Sequence, residues 1–233
     1  MAFAANGKYI VGGGDSEVRV WRVEDGKQMA TLMAASGYVW CLAGSKDGRW
    51  IAAGTDGGDA IVWDAKTFRQ IFRHRVQNVA TTGNVGVDFS PDSTRLMIAS
   101  FNSTATVLDV ATRKKVLSFD LVGYAAGGKY SPQGDRIATA ASDSVRVWGA
   151  GGRLLVHIPV KATPSFNNGF LWSNNHLFVV SDGTIKQLEP STGSTVSEWL
   201  VPNINPLSCI AALNMVMRPI CSGAMGRARC EKW

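Results

Sequence analysis

Three histidines are the side chains of this sequence best suited to acid–base chemistry at neutral pH. His74 lies between two arginines, His157 lies within an apolar run, and His176 follows two asparagines. No Gly-x-Ser-x-Gly motif, phosphate-binding loop or His-Glu-x-x-His motif accompanies them. Catalytic triads assemble through space, so this observation excludes only the local motifs. We expect no enzymatic activity and no cofactor.

The four cysteines do not form a metal-binding pattern. They are Cys41, Cys209, Cys221 and Cys230, with no Cys-x-x-Cys pair and no histidine at ligand spacing. Structural zinc sites use closely spaced pairs of such ligands around one ion. We therefore expect free thiols and no bound metal.

The formal charge of +6 raises the question of a nucleic-acid partner. Half of this excess comes from residues 207–233, where four basic residues stand against one acidic residue. In the rest of the chain we note two small basic groups, Arg69 with Arg73 and Arg75, and Arg113-Lys114-Lys115. A nucleic-acid site needs a broad cluster of positive charge. We expect no nucleic-acid partner.

The sequence shows neither a membrane-spanning nor a secretory pattern. No stretch reaches the ~20 apolar residues that a membrane helix needs. The N-terminal residues lack a basic start followed by a long apolar run. We expect an intracellular, cytoplasmic location, with a nuclear location as the alternative, and no membrane partner.

A short motif returns along the chain at intervals of about forty residues. Residues 142–148, Ser-Asp-Ser-Val-Arg-Val-Trp, are nearly copied by residues 15–21. The intervals between successive equivalent positions are 42, 45, 40 and 40 residues, which indicates a repeat architecture. These equivalent positions are Trp21, Trp63, Leu108, Trp148 and Leu188.

Each period divides into short apolar runs separated by turn residues, which is typical of regularly spaced strands. In the second period the runs are 27–33, 38–43, 50–54 and 60–63. The turn between the second and third runs has counterparts in later periods, where proline presets the backbone for the turn. The pattern predicts four strands per unit, joined by hairpins. These turns are Ser45-Lys46-Asp47-Gly48, Ser90-Pro91-Asp92-Ser93, Ser131-Pro132-Gln133-Gly134 and the polar segment Ser173-Asn174-Asn175-His176.

Two sets of repeated side chains receive structural roles in this interpretation. An aspartate or asparagine lies between the third and fourth runs, where its short side chain can accept backbone N–H groups and tighten the turn. The tryptophans that end the fourth run fill the space between neighbouring sheets, and we expect them on the outermost strand of each unit. The turn residues are Asp15, Asp56, Asn102, Asp143 and Asp182, and the packing tryptophans are Trp21, Trp63 and Trp148.

These motifs resemble those of the tryptophan-aspartate (WD) repeat β-propellers. The resemblance rests on Val18-Arg19-Val20-Trp21, Ile61-Val62-Trp63-Asp64, Val145-Arg146-Val147-Trp148 and Phe89-Ser90-Pro91-Asp92. The chain departs from the family pattern because the Gly-His pair that opens many repeats is absent and only Trp63-Asp64 keeps the eponymous dipeptide. The resemblance implies an all-β fold, a β-propeller of four-stranded antiparallel blades.

Counting the runs predicts about five blades in residues 1–206, followed by a poorly ordered, non-repeating tail in residues 207–233. Residues 195–201 read as an extra first strand that could complete the first unit, because an open sheet edge is a liability. That arrangement gives a closed five-blade ring. The rival architecture is an incomplete ring of the seven blades that are usual in the family.

The resemblance implies a non-enzymatic scaffold that presents a loop face to a protein partner, at the end where the first and second runs of each unit are joined. Aromatic residues there would supply the anchors that interfaces favour. Two alternatives are a truncated fragment of a longer WD-repeat protein, and a ligand-binding or enzymatic propeller whose central channel uses Arg73, Lys115 and His157. The candidate partner-binding residues are Tyr38, Asn84, Tyr124, Asn168 and Phe170.

Overall fold

The computed structural model describes residues 1–76, 85–122, 125–160, 170–173, 175–181 and 184–200. Within these ranges the only regular elements are β-strands, so the predicted all-β class is confirmed. No helix in the described part of the chain is long and apolar enough to cross a membrane.

Nineteen strands make up four hydrogen-bonded sheets in the described residues, and every paired strand is antiparallel to its neighbour. The first sheet has seven strands in sequence order and the other three have four each. The first sheet consists of β1 Ala2–Ala4, β2 Tyr9–Gly13, β3 Asp15–Arg22, β4 Gln28–Gly44, β5 Trp50–Thr55, β6 Asp59–Asp64 and β7 Gln70–Arg75. The second consists of β8 Val85–Phe89, β9 Arg95–Ser100, β10 Thr104–Asp109 and β11 Lys115–Asp120. The third consists of β12 Ala125–Tyr130, β13 Arg136–Ala141, β14 Val145–Gly149 and β15 Leu154–Ile158, and the fourth of β16 Phe170–Ser173, β17 His176–Ser181, β18 Thr184–Leu188 and β19 Thr195–Leu200.

The seven-stranded sheet is two four-stranded blades joined by one long strand. The first half of β4 pairs with β3 up to Met33, Tyr38 forms one further pair with Asp15 of β3, and the second half of β4 pairs with β5 from Val39 onward. The described residues therefore form five four-stranded units, which we call blades 1 to 5 in chain order. The predicted repeat of four-stranded antiparallel blades is confirmed.

The assignment of runs to blades differs from the prediction in one respect. The run 27–33 is the fourth strand of blade 1, and the run 38–43 is the first strand of blade 2. Trp21 and its equivalents consequently end the third strand of each blade, and the prediction that they lie on the outermost strand was wrong. The apolar alternation of both runs is the same, so it could not reveal which sheet each run joins.

The predicted role of residues 195–201 was also wrong. The strand β19 pairs with β18 as the fourth strand of blade 5, where Leu200 faces Thr184 and Trp199 faces Ile185. Blade 1 already has its fourth strand from β4. The predicted domain boundary at residue 206 and the tail that follows it lie outside the described residues.

The described residues form four buried clusters, each between two consecutive blades. The cluster between blades 1 and 2 contains Val18 and Val20 from β3 and Ile61 and Trp63 from β6. Residues that alternate along a strand point to opposite faces, so the third strands of blades 2, 3 and 4 send side chains to both neighbouring blades. The remaining clusters join blades 2 and 3, blades 3 and 4, and blades 4 and 5.

Candidate interaction surface

Tyr38 is the one predicted partner-binding residue whose side chain the structure describes. It lies at the crossing from blade 1 to blade 2, and its side chain is 42% exposed. Phe170 begins β16, but its side chain lies outside the described residues. Asn84, Tyr124 and Asn168 also lie outside them, so their part in a shared surface stays a prediction.

Backbone hydrogen bonds on two sides hold the segment that carries Tyr38. The carbonyl of Tyr38 accepts the backbone N–H of Asp56 at 3.0 Å. The backbone N–H of Val39 donates to the carbonyl of Gly14 at 3.0 Å. The hydroxyl of Ser16 donates to the carbonyl of Gly37 at 3.4 Å. Tyr38 is therefore an exposed ring on a fixed backbone, which lowers the entropy lost when a partner binds.

The ring of Tyr38 also rests on a second aromatic side chain. Its centroid is 5.2 Å from that of Trp40, and the two rings are tilted by 55°. Trp40 lies at a register shift of β4, between Val39 and Cys41, where the strand changes partner. An aromatic pair in this tilted geometry favours one orientation of the exposed ring.

Gly37 allows the chain to turn immediately before Tyr38. Its φ is +74°, a conformation that side-chain-bearing residues rarely adopt, and a Cβ at this position would lie 1.8 Å from Oδ1 of Asp56. Asp15 faces Tyr38 directly across the strand pair. Two of the predicted turn aspartates, Asp15 and Asp56, thus flank the exposed tyrosine.

The other repeated Asx residues lie at the same end of their blades, between the second and third strands. Oδ1 of Asn102 accepts the hydroxyl of Thr104 at 2.6 Å, and Oδ1 of Asp143 accepts the hydroxyl of Ser144 at 2.9 Å. Asp143 also forms an ion pair of 3.4 Å with Arg146. Asp182 lies outside the described residues.

A different set of carboxylates accepts backbone N–H groups, at the opposite end of the blades. Oδ1 of Asp64, the aspartate of the Trp63-Asp64 dipeptide, accepts the N–H groups of Lys66 and Thr67 at 2.9 and 2.6 Å. Asp109 accepts the N–H of Thr112 in the equivalent turn of blade 3. These contacts hold the pKa of both carboxyls below their usual range, most of all through the N–H of Thr67 and of Thr112.

Three of the predicted turns, which lie between the first and second strands, are confirmed, and a serine hydroxyl braces each of these three. The fourth, at residues 173–176, lies partly outside the described residues. The N–H groups of Gly48, Ser93 and Gly134 close the turns onto the carbonyls three residues earlier, at 2.8 to 3.0 Å. The sequence interpretation missed the hydroxyls, although the serine recurs in every one of these turns. The bracing contacts run from the N–H of Trp50 to Ser45 Oγ, from that of Arg95 to Ser90 Oγ and from that of Arg136 to Ser131 Oγ, at 2.9, 2.9 and 3.1 Å.

The three packing tryptophans differ in how far they are enclosed. Trp63 is 2% exposed in the cluster between blades 1 and 2. Trp148 packs between blades 3 and 4, and its Nε1 donates to the hydroxyl of Thr139 at 2.9 Å. Trp21 belongs to none of the four clusters of described residues and lies on the outer face of blade 1.

The residues expected in the central channel lie elsewhere. Arg73, Lys115 and His157 are on β7, β11 and β15, the fourth strands of their blades, whereas the first strands pack together at the centre. Arg73 forms an ion pair with the fully buried Asp59. The prediction placed them in the channel because the runs had been assigned to the wrong blades.

The first strands instead carry an ion pair that the sequence interpretation missed. Nζ of Lys129 lies 3.0 Å from Oδ1 of Asp88, and the backbone N–H of Tyr130 donates to Oδ2 of Asp88 at 2.9 Å. The pair joins blade 3 to blade 4, and both side chains are mostly buried. A signal was present, because the two opposite charges hold the same place before consecutive Ser-Pro turns.

The acid–base and metal-binding residues do not converge in the described part of the chain. Its histidines lie on three separate strands, β7, β15 and β17. Burial and the charge of Lys115 lower the pKa of His74. Cys41 is a buried free thiol whose Sγ accepts the N–H of Val87 at 3.3 Å. No group of three or more His, Cys, Asp or Glu side chains within the described ranges could hold a metal ion.

Comparison with known proteins agrees with this architecture. Residues 1–22 and 26–64 match the family model of the WD domain, G-beta repeat. WD repeat-containing protein 1 of Xenopus tropicalis is 32% identical over 91 residues, which cover 39% of this chain and 15% of that protein. Protein tipD of Dictyostelium discoideum is 26% identical over 217 residues, or 87% of this chain and 34% of that protein. The chain thus spans about a third or less of these two relatives.

The fold and the repeated turns define a β-propeller protein built of WD-type blades. The match of residues 1–22 and 26–64 to the repeat model and the similarity to WD repeat-containing protein 1 support a WD-repeat family for this chain. The resemblance drawn from the sequence motifs is confirmed. Proteins of this family serve in general as scaffolds that bind other proteins.

Proposed function

We propose that this chain is a non-enzymatic scaffold that binds a protein partner through the loop face on which Tyr38 lies. The observation that carries the proposal is the exposed ring of Tyr38, which rests on Trp40. The backbone on either side of the ring is held by the bond from Asp56 to Tyr38 and by the bond from Val39 to Gly14. Rigid aromatic side chains supply contact area at a low entropic cost and are enriched among the residues that dominate binding energies.

The proposal extends this face to Asn84, Tyr124 and Asn168. Each precedes the first strand of its blade, as Tyr38 precedes the second half of β4. Several segments on one face can contact a single partner at several points. A partner that must fit all of these points is recognised more specifically than one that contacts a single anchor.

The test is affinity capture with the full chain, followed by mass-spectrometric identification of the bound proteins. We expect Tyr38→Ala to weaken the captured complex by roughly 30-fold, as for a residue that contributes about 2 kcal/mol. The Tyr38→Ala/Tyr124→Ala double variant should abolish capture. Val116→Ala is the matched control, because Val116 is also 42% exposed but lies on the fourth strand of blade 3. Unchanged capture by the double variant would refute the assignment of this face.

A further inference from the structure

The outer face of blade 1 repeats a surface that is buried in blade 4. Val18-Arg19-Val20-Trp21 and Val145-Arg146-Val147-Trp148 are identical and lie on the third strands of the two blades. The strand registers match as well, because in both blades an isoleucine of the second strand faces the tryptophan. We define the outer face of blade 1 as Phe3, Ile10, Arg19 and Trp21, which hold the places of Tyr130, Ile137, Arg146 and Trp148.

In blade 4 this surface is covered by blade 3. Tyr130 and Ile137 belong to the cluster between the two blades. The ring of Trp148 packs on that of Phe119 from blade 3, with the centroids 4.7 Å apart. The side chain of Arg146 is only 10% exposed. These four residues therefore form one half of a sheet-on-sheet contact.

In blade 1 the equivalent residues are open to solvent. Phe3 is 66% exposed, and the side chain of Arg19 is 55% exposed. Trp21 belongs to none of the four clusters of described residues. A groove of about 470 Å³ lies beside its ring and is lined by Gly12 and Gly13. A surface built for contact with a preceding blade thus lacks that blade in the described part of the chain.

Blade 5 carries the complementary half of this contact. Its third and fourth strands run in the same register as those of blade 3. Trp199 consequently stands where Phe119 of blade 3 meets Trp148 of blade 4. We define the outer face of blade 5 as Phe178, Val180, Ile185 and Trp199, which hold the places of Met97, Ala99, Ala105 and Phe119.

The outer face of blade 5 presents an ordered aromatic surface. The rings of Phe178 and Trp199 are stacked, with centroids 6.4 Å apart and an angle of 21° between them. Stacked rings supply a large contact area at a low entropic cost. Two positions are more polar than in blade 3, because Gln187 and Ser197 replace a valine and a leucine. The face is therefore suited to a reversible contact.

The charged side chain on the outer face of blade 1 has its own counter-ion. Nη2 of Arg19 lies 2.6 Å from Oε1 of Glu17. None of the four residues that define the outer face of blade 5 is charged. Burial of an unpaired charge is costly, whereas a paired arginine keeps its partner when the face is covered. Arg146 is likewise paired with Asp143 where blade 3 covers it.

Close backbone approaches fix the spacing of the blades. A Cβ on Gly44 of blade 2 would lie 2.3 Å from the carbonyl oxygen of Phe3 in blade 1. A Cβ on Gly54 would lie 1.9 Å from the carbonyl oxygen of Val85 in blade 3. Interiors packed this closely resist deformation. Bringing blade 5 onto blade 1 within one chain would have to disturb these contacts, whereas a second copy presents its blade 5 without any such change.

We propose that copies of this chain associate head to tail, with the outer face of blade 5 in one copy packed on the outer face of blade 1 in the next. Trp199 then packs on Trp21 as Phe119 packs on Trp148. A contact between two different faces leaves one face of each kind free, so association continues into rings or chains. Copies separate in dilute protein, where both faces are open. The contact uses sheet faces rather than the loop face of Tyr38, so its failure leaves the proposed function untouched.

Size-exclusion chromatography with light scattering measures the association of the full chain over an about hundredfold range of concentration. We expect the mass of the wild type to rise with concentration. Trp21→Glu and Trp199→Glu should each weaken association by at least about 30-fold, because each places a charge at the centre of an apolar contact. Trp21→Phe should retain it. Leu155→Glu is the matched control, because Leu155 is 47% exposed but lies on the fourth strand of blade 4, outside both faces.

A mixture of the two glutamate variants tests the head-to-tail arrangement. Trp21→Glu keeps an intact blade 5 face and Trp199→Glu keeps an intact blade 1 face. Each variant alone should therefore be monomeric, and an equimolar mixture should form dimers and nothing larger. Circular dichroism establishes that each variant is folded, and Phe3→Glu, at an exposed residue of the same face, replaces Trp21→Glu if that variant does not fold.

Three outcomes overturn the proposal. The first is a wild type that stays monomeric at every concentration, which would indicate closure within one chain or cover by residues 201–233. The second is association of either glutamate variant alone as strong as that of the wild type. The third is a mixture of folded variants that stays monomeric.

Discussion

Trp21 and Trp63 occupy equivalent positions in blades 1 and 2, yet only Trp63 is enclosed between two blades. Trp63 packs against Val18 and Val20 of the preceding blade and is 2% exposed. Trp21 faces away from blade 2 and covers Gly12, where a Cβ would lie 2.9 Å from its ring. In the described part of the chain, none of the four buried clusters covers this outer face of blade 1.

The two tryptophans should therefore differ in their contribution to stability. We expect Trp63→Ala to lower the free energy of unfolding by about 3–5 kcal/mol, because it removes a large side chain from a packed core. We expect Trp21→Ala to lower the free energy of unfolding by clearly less. Urea unfolding followed by circular dichroism measures both, and equal losses would show that another surface covers Trp21 in solution.

The carboxylate of Asp64 should make stability depend on pH. Its pKa is lowered in the folded state by the N–H of Thr67, so its contribution is present above its ordinary value near 3.8 and is lost as the pH falls through the lower folded value. We expect Asp64→Ala to lower the free energy of unfolding by about 1 kcal/mol at pH 7. This difference in stability between the variant and the wild type should shrink below pH 3.8.

The matched variant is Asp64→Asn, which keeps an acceptor for the N–H groups of Lys66 and Thr67 but cannot ionise. It should retain most of the stability at pH 7 and lose the pH dependence. Thermal unfolding at several pH values measures both variants, and a pH-independent cost of Asp64→Ala would contradict the role of its charge.

Ser131, in the turn between the first and second strands of blade 4, should contribute to stability because it is buried and its hydroxyl forms two hydrogen bonds. Ser131 is 1% exposed, accepts the N–H of Arg136 at 3.1 Å and donates to Asp135 at 2.8 Å. We expect Ser131→Ala to cost about 1–3 kcal/mol, because it leaves that N–H without an acceptor. Ser118→Ala is the control, because Ser118 is exposed on β11. Urea unfolding measures the stability of both variants, and an equally small loss for both would refute the bracing role of Ser131.

The close approach of Gly37 and Asp56 should make glycine necessary before Tyr38. We expect Gly37→Ala to destabilise the protein by about 1–3 kcal/mol, because alanine strains a φ of +74° and its Cβ overlaps the carboxylate of Asp56. Adding Asp56→Gly should restore the stability that is lost through the overlap, but not the stability that is lost through backbone strain. Thermal unfolding of the single and double variants tests this, and a neutral Gly37→Ala would show that the turn has another conformation in solution.

Much of the architecture could be predicted because its signals are local. Turns such as Ser90-Pro91-Asp92-Ser93 and Ser131-Pro132-Gln133-Gly134 encode their own geometry, and the recurrence of Trp21 and its equivalents counts the blades. Asp88 and Lys129 hold the same place before consecutive Ser-Pro turns, but their pairing was missed because the contact depends on the first strands of two blades lying side by side.

The all-β class, the repeat and the positions of the Ser-Pro turns could be predicted from the sequence, because strand alternation and turn preferences act over a few residues. Three features could not: β4 serves two blades, β19 completes blade 5 rather than blade 1, and Arg73 lies away from the channel. The physical reason is that a strand with the same alternation can pair with either neighbouring edge. The choice depends on which edge the rest of the packed sheets leave open.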